Sequence, residues 1–139
     1  MELVFTVEGN PASKKNSMQI IFLPSAKGYV FIKDKKTGKL RPVIPSLAQN
    51  KTYKTYEKEF AKYAPKLDEP ISTPCEVTAL YYRKDNRRCD RTNLESALLD
   101  CLVKYKVISD DNWRVVFSTD GSRVYVDPSH PRTEVTIRW

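Results

Sequence analysis

Hydrophobic and polar residues alternate in several short stretches of the chain, and this pattern predicts β-strands. The run at 75–82 is partly apolar on both faces, which is typical of a central strand. Pro42 marks the run at 40–44 as an edge strand, and Asp120-Gly121 predicts a tight hairpin turn between two strands. The predicted strands lie at residues 3–7, 18–22, 28–32, 40–44, 75–82, 113–118, 123–126 and 133–139.

A first helix is predicted from residue 45 to about residue 63. Ser46 and Gln49 have the spacing of a capping box, in which two side chains bind backbone amides at the helix start. Aromatic residues form an imperfect apolar face along this segment, and two prolines follow it. Its lysines share another face, which is typical of a solvated surface or, alternatively, of a phosphate-binding one.

A second helix follows the predicted central strand and has the clearest helical signal. Thr92 and Glu95 fit a capping box, so the helix is predicted to begin just after Thr92. A polar stripe of Asn93, Ser96 and Asp100 borders the apolar stripe. The apolar stripe follows the spacing i, i+3, i+4, i+7, i+8 and consists of Leu94, Ala97, Leu98, Cys101 and Leu102.

These elements predict a single domain over residues 1–139 with an α+β fold, in which a mixed, mostly antiparallel sheet packs against two main helices. A chain of 139 residues can bury a core without disulfides. No apolar run approaches the roughly 20 residues of a membrane span, so no membrane association is expected. Leu99 and Val103 lie on the side of the second helix away from the apolar stripe. A helix that is apolar on two sides is usually covered on both, so either the first helix or a second copy of the chain is expected to cover these two residues.

Charge and cysteine content narrow the classes of partner and compartment. The net charge of +7 and the pI near 9.3 favour a polyanionic partner. The three cysteines are an odd number without CxxC spacing, which argues against a zinc site and for a reducing compartment such as the cytoplasm. His130 is the only histidine and lies in a predicted loop, so it is interpreted as an ordinary surface residue.

Three aspartates flank the second helix and are the candidate metal ligands. Asp90 precedes the helix, and Asp110 and Asp111 follow it. Two carboxylates about 4 Å apart repel each other by about 4 kcal/mol at an effective dielectric constant near 20, so a converging set needs a cation, arginines or a proton. Oxygen ligands alone point to Mg²⁺ or Mn²⁺, which can activate water and align a scissile phosphate. The alternative is that these aspartates only cap the helix or form turns.

Basic side chains near the aspartates are the candidate phosphate ligands. Arg87, Arg88 and Arg91 lie just before the predicted helix, and Lys14 and Lys15 lie in a turn-rich loop after the first strand. We predict that these five residues bind the polyanionic partner.

The stretch from residue 87 to residue 111 resembles the RusA family of Holliday-junction resolvases, which are typical of phages and prophages. The family pattern is an arginine-rich approach, Asp-x-Asp-Asn-Leu, a helix with Asp-Ala-Leu and a closing Asp-Asp. In the same order and spacing, this chain has Arg87-Arg88-Cys89-Asp90-Arg91-Thr92-Asn93-Leu94, then Asp100-Cys101-Leu102, then Asp110-Asp111.

The resemblance implies a small, bacterial or phage-encoded, homodimeric endonuclease of DNA recombination and repair. Such enzymes bind four-way DNA junctions and nick two strands symmetrically with Mg²⁺. By position, Asp90 matches the first catalytic aspartate of the family and Asp111 the last. Asp100 and Asn93 match the helix aspartate and the motif asparagine, and Asp110 completes the closing pair, so all five are predicted to be catalytic.

Two positions depart from the family pattern. Thr92 replaces a second catalytic aspartate, and Ser96 replaces a helix lysine. A threonine hydroxyl is a poor, neutral metal ligand but can bind a phosphate, so Thr92 is predicted to contact DNA. Lys14, Lys15 or Arg91 could supply the missing positive charge.

Two other functions stay open. A protein that kept the junction-binding surface but lost turnover through the changes at Thr92 and Ser96 would bind junctions in a salt-sensitive manner without cutting them. An unrelated basic RNA-binding domain would bind single-stranded or folded RNA better than a four-way DNA junction.

Overall fold

The structure, a computed structural model of the 139-residue chain, describes residues 1–13 and 18–139. Over these residues it contains two helices and eight strands. In chain order they are β1 (Glu2–Glu8), β2 (Met18–Pro24), β3 (Val30–Lys33), β4 (Leu40–Gln49), α1 (Lys51–Tyr63), β5 (Cys75–Arg83), α2 (Arg91–Lys104), β6 (Val116–Ser118), β7 (Arg123–Val126) and β8 (Arg132–Arg138).

Five strands form a mixed sheet in which β5 is an interior strand, as predicted. β1 pairs antiparallel with β8, and β8 pairs antiparallel with β5. β6 and β7 pair parallel with the other side of β5. Alternate residues of β5 are buried from Cys75 to Tyr81, and those between them are half-buried. The predicted α+β fold class is confirmed.

Both helices share one hydrophobic core with this sheet. α1 contributes Tyr53, Tyr56 and Phe60, and α2 contributes the whole predicted apolar stripe. Leu99 and Val103 are half-buried and also pack against this core, so the chain itself partly covers the second side of α2. Neither helix is long and apolar enough to cross a membrane.

The predicted hairpin at Asp120-Gly121 is wrong. β6 and β7 run in the same direction along β5, and the residues between them form an irregular connection within one edge of the sheet. Gly121 has a φ of +84°, a backbone conformation that favours glycine. The Ser122 hydroxyl accepts the Ala79 backbone N–H at 3.0 Å. It thus takes the place of the backbone carbonyl that a continuous neighbouring strand would offer. The two predicted strands on either side of Asp120-Gly121 therefore form one edge of the sheet, which is interrupted between β6 and β7.

β2, β4 and β3 form a separate antiparallel sheet in which β4 is the central strand. The prediction of an edge strand ending at residue 44 is wrong, because β4 is longer and has a neighbour on each side. Pro42 pairs only with Phe31, and Pro45 pairs only with Phe22. On the β2 side, the Pro42 carbonyl accepts the Ser25 backbone N–H at 3.2 Å, so Pro42 lacks only the donor that proline cannot supply.

α1 begins after residue 50, and the predicted start near Ser46 is wrong because that residue belongs to β4. Asn50 is the N-cap residue, and its side-chain oxygen accepts the Thr52 backbone N–H at 2.8 Å. Ser46 and Gln49 lie in the strand and therefore do not form a capping box. The predicted end of the helix at Tyr63 is confirmed.

Candidate active site

α2 begins at Arg91, slightly earlier than predicted. Asp90 is the N-cap residue with an extended backbone (φ −79°, ψ 129°), but its carboxylate accepts no capping hydrogen bond from the backbone of the first turn. The Asn93 side-chain amide donates to it instead, at 3.3 Å. The predicted Thr92–Glu95 capping box is therefore wrong, because Thr92 is already helical and Glu95 pairs with Arg91.

An ion pair and a hydrogen bond connect residues on the first two turns of α2. Arg91 Nη1 lies 3.6 Å from Glu95 Oε1, and the Ser96 hydroxyl donates to the Thr92 carbonyl at 2.9 Å. Burial, together with the negative charge of Glu95, raises the pKa of Tyr81 on β5. The Glu95 carboxylate thus interacts electrostatically with the buried Tyr81 and with the exposed guanidinium of Arg91.

Asp110 organises the turn that follows α2. Its carboxylate accepts the Asp111 backbone N–H at 2.7 Å and the Asn112 side-chain amide at 2.6 Å. The Asn112 side-chain oxygen in turn accepts the Arg114 backbone N–H at 2.9 Å. These hydrogen bonds, first of all the one from Asn112, hold the pKa of Asp110 below its usual value. Because of this turn, the predicted strand that follows begins only at Val116.

The Asp111 carboxyl has the opposite shift. Loss of hydration raises its pKa, and its interactions with Asp110 and Asp100 raise it further. Asp100 belongs to the predicted polar stripe of α2. The structure therefore brings Asp111 within electrostatic range of two other predicted site residues. A carboxylate in such a negative environment is a candidate cation ligand.

These opposite shifts predict opposite effects on stability without metal. The raised pKa of Asp111 means that stability falls as the pH rises through the aspartate range, so Asp111→Asn should raise the free energy of unfolding near pH 7, by less than about 1 kcal/mol. The lowered pKa of Asp110 stabilises the fold above that range, and this contribution is lost as the pH falls. Asp110→Asn should therefore destabilise the protein near pH 7.

Urea unfolding of both variants and the wild type in EDTA, followed from acid to neutral pH, tests these signs. A destabilised Asp111→Asn variant near pH 7 would contradict the electrostatic description of this carboxyl.

Asp90 belongs to the other end of α2. It is separated from Asp100 by roughly 15 Å along the helix axis. In the part of the chain that the structure describes, no group of three or more His, Cys, Asp or Glu side chains could hold a metal ion. The joint assignment of Asp90, Asp110 and Asp111 as metal ligands therefore stays a prediction.

A cleft of about 780 Å³ opens between the β5–α2 connection and the edge formed by β7. It adjoins Asp90, whose chain neighbours Cys89 and Arg91 both line it. Two aspartates, Asp85 and Asp120, also line it, but basic side chains outnumber them. We call it the arginine cleft after its five arginines, which are Arg83, Arg87, Arg88, Arg91 and Arg123.

Hydrogen bonds and an ion pair within the β5–α2 connection stabilise its conformation along this cleft. The Arg83 guanidinium donates to the Arg87 carbonyl. Asp85 accepts the Arg87 backbone N–H at 3.1 Å, and its other carboxylate oxygen lies 3.7 Å from Arg87 Nε. The Asp127 backbone N–H donates to the Arg83 carbonyl at 2.8 Å and connects the two walls. The arginines are therefore presented on an ordered backbone.

The family model of the endodeoxyribonuclease RusA matches residues 31–138. The chain belongs to the RusA family. RusA proteins are junction-resolving endonucleases that act on branched DNA, so the resemblance inferred from the motif is confirmed at this level. A search of curated proteins gave no match.

The structure distributes the predicted RusA site over two regions. Arg87, Arg88 and Arg91 line the arginine cleft, as expected of phosphate ligands, although their contact with DNA stays a prediction. Thr92 is exposed on the first turn of α2 beside Asp90. The predicted DNA-binding residues Lys14 and Lys15 lie outside the described residues.

Two arginines of the cleft, Arg83 and Arg123, were not among the predicted DNA-binding residues. Arg83 is the last residue of β5, and its position at the start of the arginine-rich connection was the available signal. Arg123 reaches the cleft because β7 pairs parallel with β5, where Arg123 lies opposite Leu80. The interpretation of Asp120-Gly121 as a hairpin turn excluded this pairing.

Proposed function

We propose that this RusA protein is a Mg²⁺-dependent endonuclease that resolves four-way DNA junctions by paired, symmetric nicks. The observation that carries the proposal is the arginine cleft beside Asp90. Guanidinium groups bind phosphate oxygens through two parallel hydrogen bonds, so several of them on an ordered backbone suit a DNA strand. The proposed cleavage site is the end of this cleft at the N-terminus of α2.

We propose that Asp90 and Asp111 are cation ligands, Asp90 beside the arginine cleft and Asp111 near Asp110 and Asp100 at the other end of α2. Mg²⁺ is usually bound by one or two carboxylates, waters and substrate phosphates, so a closed group of three protein carboxylates is not required. When bound, Mg²⁺ or Mn²⁺ polarises the phosphate and lowers the pKa of a water molecule. The raised pKa of Asp111 supports this proposal, because a cation would offset the repulsion from Asp110 and Asp100.

The side chains at the start of α2 would orient the DNA. Arg87 and Arg88 would bind the phosphates on either side of the scissile one. Arg91, which pairs with Glu95 at 3.6 Å, would place a positive charge where the helix N-terminus also favours an anion. This charge would replace the lysine that other family members have at the position of Ser96.

A homodimer would supply two such sites related by two-fold symmetry, one for each nicked strand. The competing proposal is a junction-binding protein without turnover. The neutral Thr92 favours that alternative, because it removes one carboxylate from the family's metal-binding pattern. The two proposals make the same prediction for binding and opposite predictions for cleavage.

DNA binding by the arginine cleft predicts a change in salt dependence. In Arg87→Gln and Arg88→Gln, the slope of log Ka against log salt concentration for a four-way junction should decrease by about one for each lost phosphate contact. Fluorescence anisotropy at several salt concentrations measures this slope. Lys66→Gln is the charge-matched control, since Lys66 is exposed in the α1–β5 connection. Equal slopes for the wild type and both arginine variants would contradict the assignment.

A further inference from the structure

A row of three side chains crosses the mixed sheet and ends at its open edge. Tyr82 on β5 lies opposite Arg132 on β8 and opposite Tyr125 on β7. The Arg132 guanidinium carbon is 3.7 Å from the centroid of the Tyr82 ring. The Tyr125 ring stacks on the Tyr82 ring with centroids 5.1 Å apart and an angle of 23° between the planes. We call this row the Arg132–Tyr82–Tyr125 ladder.

Ion pairs fix the inner end of the ladder. Arg132 Nη1 lies 3.0 Å from Asp127 Oδ2, and Arg132 Nε lies 2.9 Å from Glu134 Oε1. The Arg132 side chain is only 16% exposed, so its position is restricted by packing as well as by charge. The two tyrosine rings are therefore held in a defined orientation, which lowers the entropic cost of binding another flat group.

The outer end of the ladder is open. Tyr125 is 46% exposed and lies on an edge strand. Because Tyr82 covers one face of the Tyr125 ring, the exposed area lies on the opposite face and on the ring edges. Tyr125 also lines the arginine cleft, where Arg123 comes from the same strand. A flat aromatic group that enters the cleft would extend the ladder by one ring.

We propose that Tyr125 is a base-stacking residue that receives an unpaired nucleobase of branched DNA. The arginines of the cleft bind the neighbouring phosphates. A positively charged groove with an exposed aromatic ring is the combination that binds single-stranded nucleic acid, because every base has a face that can stack. Bases at the branch of a junction can lose a stacking neighbour, and Tyr125 offers a replacement. The proposal rests on the proposed function for its choice of DNA, but stacking requires neither metal nor cleavage.

The test is a fluorescence titration in EDTA with 2-aminopurine as the probe base. One probe is a short oligothymidylate with a single 2-aminopurine, and the other is a four-way junction with 2-aminopurine at the branch. The wild-type protein should quench both. Tyr125→Ala should bind the oligothymidylate about 5- to 150-fold more weakly and should lose the quenching, whereas Tyr125→Phe and Tyr125→Trp should retain both.

Tyr63→Ala is the matched control, because Tyr63 is similarly exposed (42%) but lies on α1. It should bind and quench like the wild type. Wild-type affinity and quenching in Tyr125→Ala would overturn the proposal, as would a loss in Tyr125→Phe as large as in Tyr125→Ala. Stronger quenching of a matched RNA probe than of the DNA probe would overturn the choice of DNA.

Cleavage is measured separately with Mg²⁺, so the two proposals can fail independently. Quenching that depends on Tyr125 in a protein that nicks no junction would support the stacking residue and contradict the nuclease. Nicking without such quenching would support the nuclease and contradict the stacking residue.

Discussion

Replacing Asp111 with Asn should reduce the rate of junction nicking by about 10²- to 10³-fold or more, while junction affinity stays within about twofold of the wild type. Asp90→Asn should have the same effect. Both substitutions keep the size of the side chain and remove the negative charge with which the proposed cation would interact. Nicking of a labelled four-way junction in Mg²⁺ measures the rate, and binding in EDTA measures the affinity.

Asp68→Asn is the control for these variants, because Asp68 is an exposed aspartate in the α1–β5 connection. It should nick at the wild-type rate. Asp111→Asn should also be slightly more stable than the wild type, so unfolding would not explain a loss of nicking in that variant. Wild-type rates in both Asp90→Asn and Asp111→Asn would show that the assigned carboxylates do not take part in the reaction.

Replacing Phe60 with Ala should lower the free energy of unfolding by about 3–5 kcal/mol. Phe60 is fully buried on α1. Its ring lies edge-on to Phe5 with centroids 6.1 Å apart, and 5.8 Å from the centroid of Tyr105. The substitution removes this apolar surface and leaves a cavity between the helix, β1 and the end of α2. Because the free energy of unfolding of small domains is about 5–15 kcal/mol, the variant should retain only a small part of its stability.

Urea unfolding measures the change, with the transition midpoint shifted and its slope preserved. Tyr63→Ala, three residues further along the same helix, should change stability by no more than about 0.5 kcal/mol because Tyr63 is exposed. A loss of stability below about 1 kcal/mol in Phe60→Ala would contradict the close packing of Phe60 against Phe5 and Tyr105.

The sequence predicted those elements whose periodicity is determined by burial. The apolar stripe of α2 is buried as expected, and the alternation over β5 correctly indicated a strand with neighbours on both sides. Local capping signals were weaker guides. Ser46 and Gln49 have capping-box spacing but lie in β4, because strand pairing with β2 outweighs the local preference. Thr92 and Glu95 fail for another reason, since Glu95 pairs with Arg91 instead.

The arginine cleft depends on long-range pairing, and this explains why only part of it could be predicted. Arg87, Arg88 and Arg91 are consecutive or nearly so, and their spacing is visible in the sequence. Arg123 and Tyr125 reach the cleft only because β7 lies parallel to β5. The Asp120-Gly121 sequence indicates a turn but does not indicate whether the strand after it runs parallel or antiparallel. The electrostatic contact of Asp111 with Asp100 likewise depends on how the chain returns after α2.

Cleavage of a synthetic four-way junction by the wild-type protein in Mg²⁺ or Mn²⁺, with linear duplex of the same sequence as the control, tests whether this protein is a junction-resolving nuclease. We expect paired nicks at symmetric positions in the junction, none in the duplex and none in EDTA. Tight binding of the junction without nicks in either metal would contradict the proposed activity and favour the binding protein without turnover.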